Sequence, residues 1–346
     1  MLIHRPDMTI CGLLAVLCVA AGASVGPSPR PVGQATAVAG SAEIVTEVAN
    51  LRFYSAFWPN LHHTLYAAAW DRRAAGGGGP RRLAGTLPEP LTGTLTPEER
   101  ATWDAAVAYY NRELASHDLL FANRMAGGIR RAMIAAGDSP GSGLEAAHQE
   151  ALGAAAPIYR KYWWPMHDRA NRAWIADIAP RTKEIAQDVT ARLAALYQTP
   201  WFAEPVRVDI VRVGNWQGAY TLNRPTHVTI ASGDTDAAGW NGVDTVFHEV
   251  SHTLVLKIQQ MIDDEARTAG KQPGTLWHAL QFVMTGEVVR EALAARKIDF
   301  VPYVYRTGLI DRAWGAYKGP LEREWMPYVH GKVSLEEAVK RLVAAI

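Results

Sequence analysis

The pattern of apolar and polar positions divides the chain into a long helical part and a shorter part with strands. From about Glu43, apolar residues recur at helical spacing, as in FYSAFWPNLHHTLYAAAW (53–70). A capping box with proline at the first helical position, Thr96-Pro97-Glu98-Glu99, marks a helix start. Further helical stretches follow GDSPGSG (137–143), and we expect Pro165 and Pro180 to interrupt them.

The pattern changes after Pro205, where VRVDIVRV (206–213) alternates as a half-buried strand does. AYTL (219–222) and THVTIAS (226–232) complete what is expected to be the only β region. One long helix is predicted over 243–270, another over 275–297, and a second capping box at Ser334–Glu337 opens the last helix. The sequence predicts a helix-dominated α+β fold with a small sheet just upstream of the 243–270 helix.

The first 42 residues are read as segments outside the fold. The run ICGLLAVLCVAAGASVG and the small residues after it predict a signal peptide over 1–23, followed by a flexible leader over 24–42. Both cysteines, Cys11 and Cys18, fall inside the signal peptide, and Leu17 before Cys18 suits a lipid-attachment site poorly. We therefore expect a secreted or periplasmic protein with no disulfide and no stable membrane span in the mature chain, and the alternative is that the apolar run is a hydrophobic helix that tethers the chain.

Residues 43–200 are predicted to form a helical region and residues 201–346 a metal-binding region, both within one compact unit. The whole chain has a net charge of +1 and shows no basic run interleaved with aromatic residues. Nucleic acid is therefore not expected as a partner. Oligomeric state does not follow from the sequence.

Chemistry enters with TVFHEVSHTLV (245–255), which holds an HExxH motif. Residues four apart share a helix face, so His248 and His252 can bind one zinc ion, with Glu249 as general base for a zinc-bound water. Glu249 is the only charged residue from Thr245 to Leu256, so the helix is expected to be buried. The alternative is a hydrogen-bonded core cluster without metal.

A catalytic zinc needs a third protein ligand, and we expect it on the 275–297 helix. Glu287 is the preferred candidate because apolar residues flank it and a bare carboxylate would be costly there. Glu291, one turn on, suits the role of orienting a ligand histidine. His278 is the competing third ligand, nine residues before Glu287. The alternative for both glutamates is a solvated stripe paired with Arg290 or Lys297.

HEVSH followed by a helix that carries GEVVRE resembles the gluzincins, zinc metallopeptidases of the thermolysin type. This resemblance covers roughly residues 205–295 and implies a zincin-like core, with a glutamate on a later helix as third ligand and an acid four residues beyond it. It also implies that GAYTLNRPTHVTIAS supplies a sheet edge on which an extended peptide binds. Gly286, where many members have asparagine, departs from the pattern.

An oxyanion donor is expected shortly after the Glu287 helix, and Tyr305 is the preferred residue, beside Tyr303, His278 and His330. The adjacent His62 and His63 have no assigned role. The predicted function is an exported zinc metallopeptidase that acts on peptide or protein substrates. Two alternatives are a zinc amidohydrolase acting on a non-peptide envelope substrate, and a binding protein with an inert HExxH helix. Endo- and exopeptidase action are not distinguished by the sequence.

Overall fold

A computed structural model describes residues 43–75, 95–117, 123–135, 143–214, 218–223 and 225–346. The predicted signal peptide and leader lie outside these residues. The described residues form one mixed sheet and a set of helices, which confirms the helix-dominated α+β class. The five strands are β1 (Ile44–Val48), β2 (Leu51–Tyr54), β3 (Val206–Val211), β4 (Ala219–Leu222) and β5 (His227–Ala231). Their order is β1-β2-β3-β5-β4, with β2, β3 and β5 parallel and the outer two strands antiparallel to their neighbours.

The hairpin of β1 and β2 corrects the expectation that the chain is helical from Glu43 and that strands occur only after Pro205. The two strands are joined by Ala49 and Asn50, which have φ angles of 53° and 60°. Two consecutive positive φ angles make the hairpin turn whose twist matches paired strands. Glycine usually marks that turn, so alanine at its first position removed the sequence signal.

Strand β3 is buried on both faces, although its alternating pattern predicted a half-buried strand. It lies between β2 and β5, and its polar residue Asp209 is fully buried. Arg207 donates two hydrogen bonds to Asp209, at 2.8 and 3.0 Å, and His227 Nε2 lies 2.6 Å from Asp209 Oδ2. Burial alone would raise the pKa of the Asp209 carboxyl, but Arg207 and His227 lower it below its ordinary value.

The helical region consists of five helices in the described residues: α1 (Phe57–Ala75), α2 (Pro97–Glu113), α3 (Asn123–Ala135), α4 (Ala146–Tyr162) and α5 (Trp164–Tyr197). The capping box at Thr96 is confirmed, because its hydroxyl accepts from Glu99 N and the Glu99 carboxylate accepts from Thr96 N. The interruption expected at Pro180 is wrong, because α5 continues through it. Ile178, Ile185 and Val189 of α5 are fully buried in the core against the sheet, and this burial outweighs one lost backbone hydrogen bond.

The second half contains α6 (Gly239–Leu254), α7 (Leu256–Thr268), α8 (Leu276–Ala294), α9 (Tyr303–Arg306), α10 (Leu309–Pro320), α11 (Met326–Val329) and α12 (Leu335–Ala345). The single helix predicted over 243–270 is therefore two helices that meet at Val255. Ser334 caps α12 by accepting from Glu337 N at 3.2 Å, as its sequence predicts. None of the described helices is both long enough and apolar enough to cross a membrane.

Two clusters of buried side chains hold these elements together. The larger cluster joins β1–β3 and β5 to α5–α8 and α12, and the smaller joins α1–α4. Strand β4 links the two, because Tyr220 is buried in the smaller cluster while Ala219 packs against the larger one. The sheet edge is thereby fixed between the helical region and α6.

The buried histidines of the helical region predict strong acid sensitivity. Burial lowers the pKa of His63 and His148 to about 4 and of His167 to about 3, and it lowers the pKa of His62 well below 6.5. The unfolded chain therefore binds more protons than the fold between pH 6.5 and about 4. Stability is complete above pH 6.5 and falls as the pH decreases through this window, by up to about 1.4 kcal/mol per pH unit for each histidine.

Urea unfolding at a series of pH values measures this slope. His148→Gln should reduce it by about 1.4 kcal/mol per pH unit, the share of one histidine. A His117→Gln variant serves as a matched control, since His117 is exposed. An unchanged slope in His148→Gln would contradict the assignment of acid sensitivity to this buried group.

Candidate metal centre

Three histidines from two helices meet beside the sheet edge. His248 and His252 lie one turn apart on α6, and His278 comes from the first turn of α8. His248 Nε2 and His278 Nε2 are 3.3 Å apart, and one ligand nitrogen from each of the three rings lies within 4.8 Å of the other two. The HExxH pair is therefore brought together with a third imidazole rather than with a carboxylate.

The charge state of these rings suits metal binding. Burial and the two neighbouring rings hold the pKa of His248 well below its ordinary value. Burial also lowers the pKa of His252 far below 6.5 and that of His278 to about 4. All three imidazoles are thus neutral at physiological pH, with ring lone pairs free to bind a cation. Three neutral nitrogen donors and an open side form a ligand set that catalytic zinc uses.

Aromatic packing, more than hydrogen bonding, orients the three rings. Phe282 stacks on His248 with ring centroids 3.5 Å apart, and Trp277 stacks on His278 at 5.0 Å. Trp314, at a kink in the α10 backbone, places its ring edge-on to His278 at 5.2 Å. Within the described residues His248 Nδ1 is buried and has no hydrogen-bond partner. A metal held here would be enclosed on one side by an apolar wall.

Glu249 is held beside the histidines by the edge strand. Thr221 Oγ1 of β4 lies 2.7 Å from Glu249 Oε2 and 2.8 Å from the Glu249 carbonyl, and it can donate its proton to either. The same carboxylate oxygen is 3.9 Å from His252 Nε2. Burial raises the pKa of Glu249 to about 7, against the opposing effects of Thr221 and Arg130. A carboxyl that titrates near neutrality is suited to accept and return a proton.

Glu287 lies elsewhere. Its carboxylate receives two hydrogen bonds from Arg290, at 2.6 and 2.7 Å, and is 3.2 Å from His330 Nε2. The hydrogen bond from Arg290 is the main cause that lowers the pKa of Glu287. The structure therefore does not bring Glu287 to His248 and His252, and the alternative pairing with Arg290 is the one it shows. Arg290, three residues further along α8, thus provides the positive charge that zinc was predicted to provide for Glu287.

Glu291 and His330 lie with Glu287, and one ligand atom from each of the three lies within 4.8 Å of the others. Glu291 is therefore placed beside Glu287 and His330, and the orienting role predicted for it stays a prediction. His62 and His63 are buried in the helical region, where His62 Nδ1 is 3.0 Å from Tyr110 Oη and His63 Nε2 is 2.6 Å from Tyr220 Oη. These contacts place the adjacent pair in a buried network with two tyrosines.

Tyr303, rather than Tyr305, lines the cleft beside the three histidines. Tyr303 stacks on Phe282 with centroids 6.3 Å apart, and burial raises the pKa of its hydroxyl, which therefore stays protonated. Tyr305 packs away from the cleft near Glu322 and Glu287, and burial raises its pKa to about 12. Of the two candidate oxyanion donors, Tyr303 is the one that the fold places at the cleft.

An open cleft gives access to His248 and Glu249. Ala219 of the edge strand, Phe282 and Tyr303 form part of its wall. Asp234, Asp244 and Thr245 complete the lining. Thr221, Asp234 and Asp244 belong to no local motif, so the sequence did not indicate a role for them. Only the pairing of the sheet and the packing of α6 bring them to the site.

In comparisons with known proteins, no family model, no curated protein and no solved structure matches this chain. The description of the site therefore depends on its own geometry.

Proposed function

We propose that the protein is a zinc-dependent metallopeptidase whose metal ligands are His248, His252 and His278. The convergence of His278 on the HExxH pair carries this proposal, because a second helix delivers a third neutral nitrogen to the same point. The proposal retains the HExxH part of the resemblance to the gluzincins and replaces Glu287 with His278 as third ligand.

His248, His252 and His278 would hold the zinc, which would supply a Lewis acid for the substrate carbonyl and for a water molecule. Glu249 accepts the proton of the attacking water on its carboxylate and returns it to the leaving amine. Thr221 holds that carboxylate in place through its 2.7 Å hydrogen bond. Tyr303 offers a hydroxyl donor from the cleft wall to the oxygen on which negative charge develops.

The position of β4 favours a peptide over a non-peptide amide as substrate. Among the described strands β4 pairs only with β5, so it is the edge of that sheet, and its first residue Ala219 lines the cleft. An extended peptide can add to such an edge through main-chain hydrogen bonds. A small amide without a strand-like backbone would gain nothing from this edge.

Metal removal and reconstitution test the proposal. Mature protein treated with a chelator should not cleave a mixture of fluorogenic peptides, and one equivalent of zinc per chain should restore cleavage. A panel of non-peptide amides, assayed in parallel, should remain uncut. Cleavage of those amides but not of peptides would favour the amidohydrolase alternative. Failure to bind zinc at all would indicate a binding protein with an inert HExxH helix.

A further inference from the structure

The cleft beside the histidines is acidic. Three of its lining residues are carboxylic acids, namely Asp234, Asp244 and Glu249, and none of its lining residues in the described chain is lysine or arginine. When all three are ionised they carry three negative charges, one more than a divalent metal on the three histidines would offset. Anionic substrate groups are therefore disfavoured near the metal, and a cationic group is favoured.

Asp244 is a buried carboxylic acid in this cleft that has no counter-charge among the described residues. It is 3% exposed, and its only hydrogen bond in the described structure is from Tyr303 N to Oδ2, at 2.8 Å. No ion pair to Asp244 exists among the described residues, and burial raises its pKa to about 7. A buried carboxylate without a counter-charge is costly, and a bound cation would remove that cost.

The position of Asp244 relates it to the metal centre. It precedes His248 by four residues on α6, so the two share a helix face about 6 Å apart along the axis, and both line the cleft. In a peptide with a free N-terminus, the ammonium nitrogen is only two bonds from the carbonyl carbon of the first residue. A carboxylate one helical turn from a metal ligand is thus well placed for that ammonium.

We propose that Asp244, with Asp234 in the same cleft, binds the free α-ammonium group of the substrate, so that the enzyme is an aminopeptidase. This inference rests on the proposed peptidase function. It assigns the class of substrate, peptides with an unblocked N-terminus, and it makes Asp244 a specificity-determining residue.

A purely structural role for Asp244, as the acceptor that holds the backbone of Tyr303, makes a different prediction. Asp244→Asn keeps an oxygen that can accept from Tyr303 N but removes the negative charge. The variant therefore separates recognition of the substrate's positive charge from the hydrogen bond that Asp244 accepts from Tyr303 N. Asp311→Asn provides a matched control, because Asp311 is exposed on α10 and pairs with Lys318.

The experiment compares kcat/KM of the zinc-loaded protein for one peptide with a free N-terminus and for its N-acetylated form. Wild type and Asp311→Asn should prefer the free peptide by roughly tenfold to a hundredfold, the usual range for a hydrogen bond to a charged group. Asp244→Asn should bring this ratio close to one and leave the acetylated peptide unaffected.

The outcomes distinguish the inference from the function it rests on. Equal cleavage of both peptides by the wild type would overturn the proposed ammonium site but would agree with the proposed peptidase function. If Asp244→Asn lost cleavage of the free and the acetylated peptide to the same extent, Asp244 would have only the structural role of accepting from Tyr303 N, and the inference would be overturned. Absence of cleavage of either peptide by zinc-loaded protein would overturn both.

Discussion

Replacement of His278 with alanine is expected to remove zinc from the protein, whereas replacement of Glu287 with alanine is expected to leave it bound. His278 Nε2 lies 3.3 Å from His248 Nε2, so one ion can reach both rings. The Glu287 carboxylate instead pairs with Arg290 and His330. Loss of a residue that only supports a ligand costs about 10- to 100-fold in metal affinity, and loss of a ligand itself should cost more.

Competition with a chromophoric chelator measures the zinc affinity of the two variants beside the wild type. Thermal unfolding of the metal-free forms shows whether either substitution disturbs the fold, since His278 is also packed against Trp277 and Trp314. His278→Phe keeps that aromatic packing while removing the nitrogen donors, and it should lose zinc as His278→Ala does. Zinc lost from Glu287→Ala but retained by His278→Ala would restore the glutamate as third ligand.

Substitution of glutamine for Glu249 is expected to lower kcat by about 10²- to 10⁴-fold while zinc content remains one per chain. The amide of glutamine can still accept the hydrogen bond from Thr221, but it cannot take the proton of the attacking water. Because burial raises the pKa of Glu249 to about 7, the neutral form is accessible in the fold, and we expect the neutral amide to be tolerated there.

Steady-state hydrolysis of a fluorogenic peptide, normalised to bound zinc, measures this effect. Glu113→Gln is the matched control, because Glu113 is exposed on α2, pairs with Arg112 and does not line the cleft. It should retain activity close to that of the wild type. Comparable activity in Glu249→Gln and wild type would remove Glu249 from the proton transfer and leave the histidines as a structural or binding site.

The part of the site that lies on one helix could be predicted from sequence, and the part that depends on packing could not. Four-residue spacing is enough to bring His248 and His252 together. The choice between His278 and Glu287 depends on how far α8 is shifted along α6, and no local pattern encodes that shift. The apolar neighbours of Glu287 favour a metal ligand over the alternative pairing with Arg290, yet the long side chain of Arg290 reaches back along α8 to that carboxylate.

For the strands, too, local sequence predicted some features, while others depend on packing. Residues 219–222 and 227–231 lie in segments whose composition predicts strands. The hairpin of β1 and β2 was missed because Ala49 occupies a left-handed position that sequence usually marks with glycine. Burial of Asp209 was missed because alternation in a strand does not reveal whether a second element covers its polar face. Thr221 reaches Glu249 only because β4 is the edge strand next to α6.

The parallel pairing of β2 with β3 has a consequence for synthesis of the chain. Leu51 pairs with Val206, so the edge of β2 has no partner until the segment 206–211 leaves the ribosome. At about 5–20 residues per second, that delay is on the order of 8–30 seconds. During this time the described sheet consists of β1 and β2 alone, and a two-stranded hairpin is marginal in water. Premature termination before residue 206 would make this delay permanent and leave an unpaired edge, the kind of surface that nucleates aggregation.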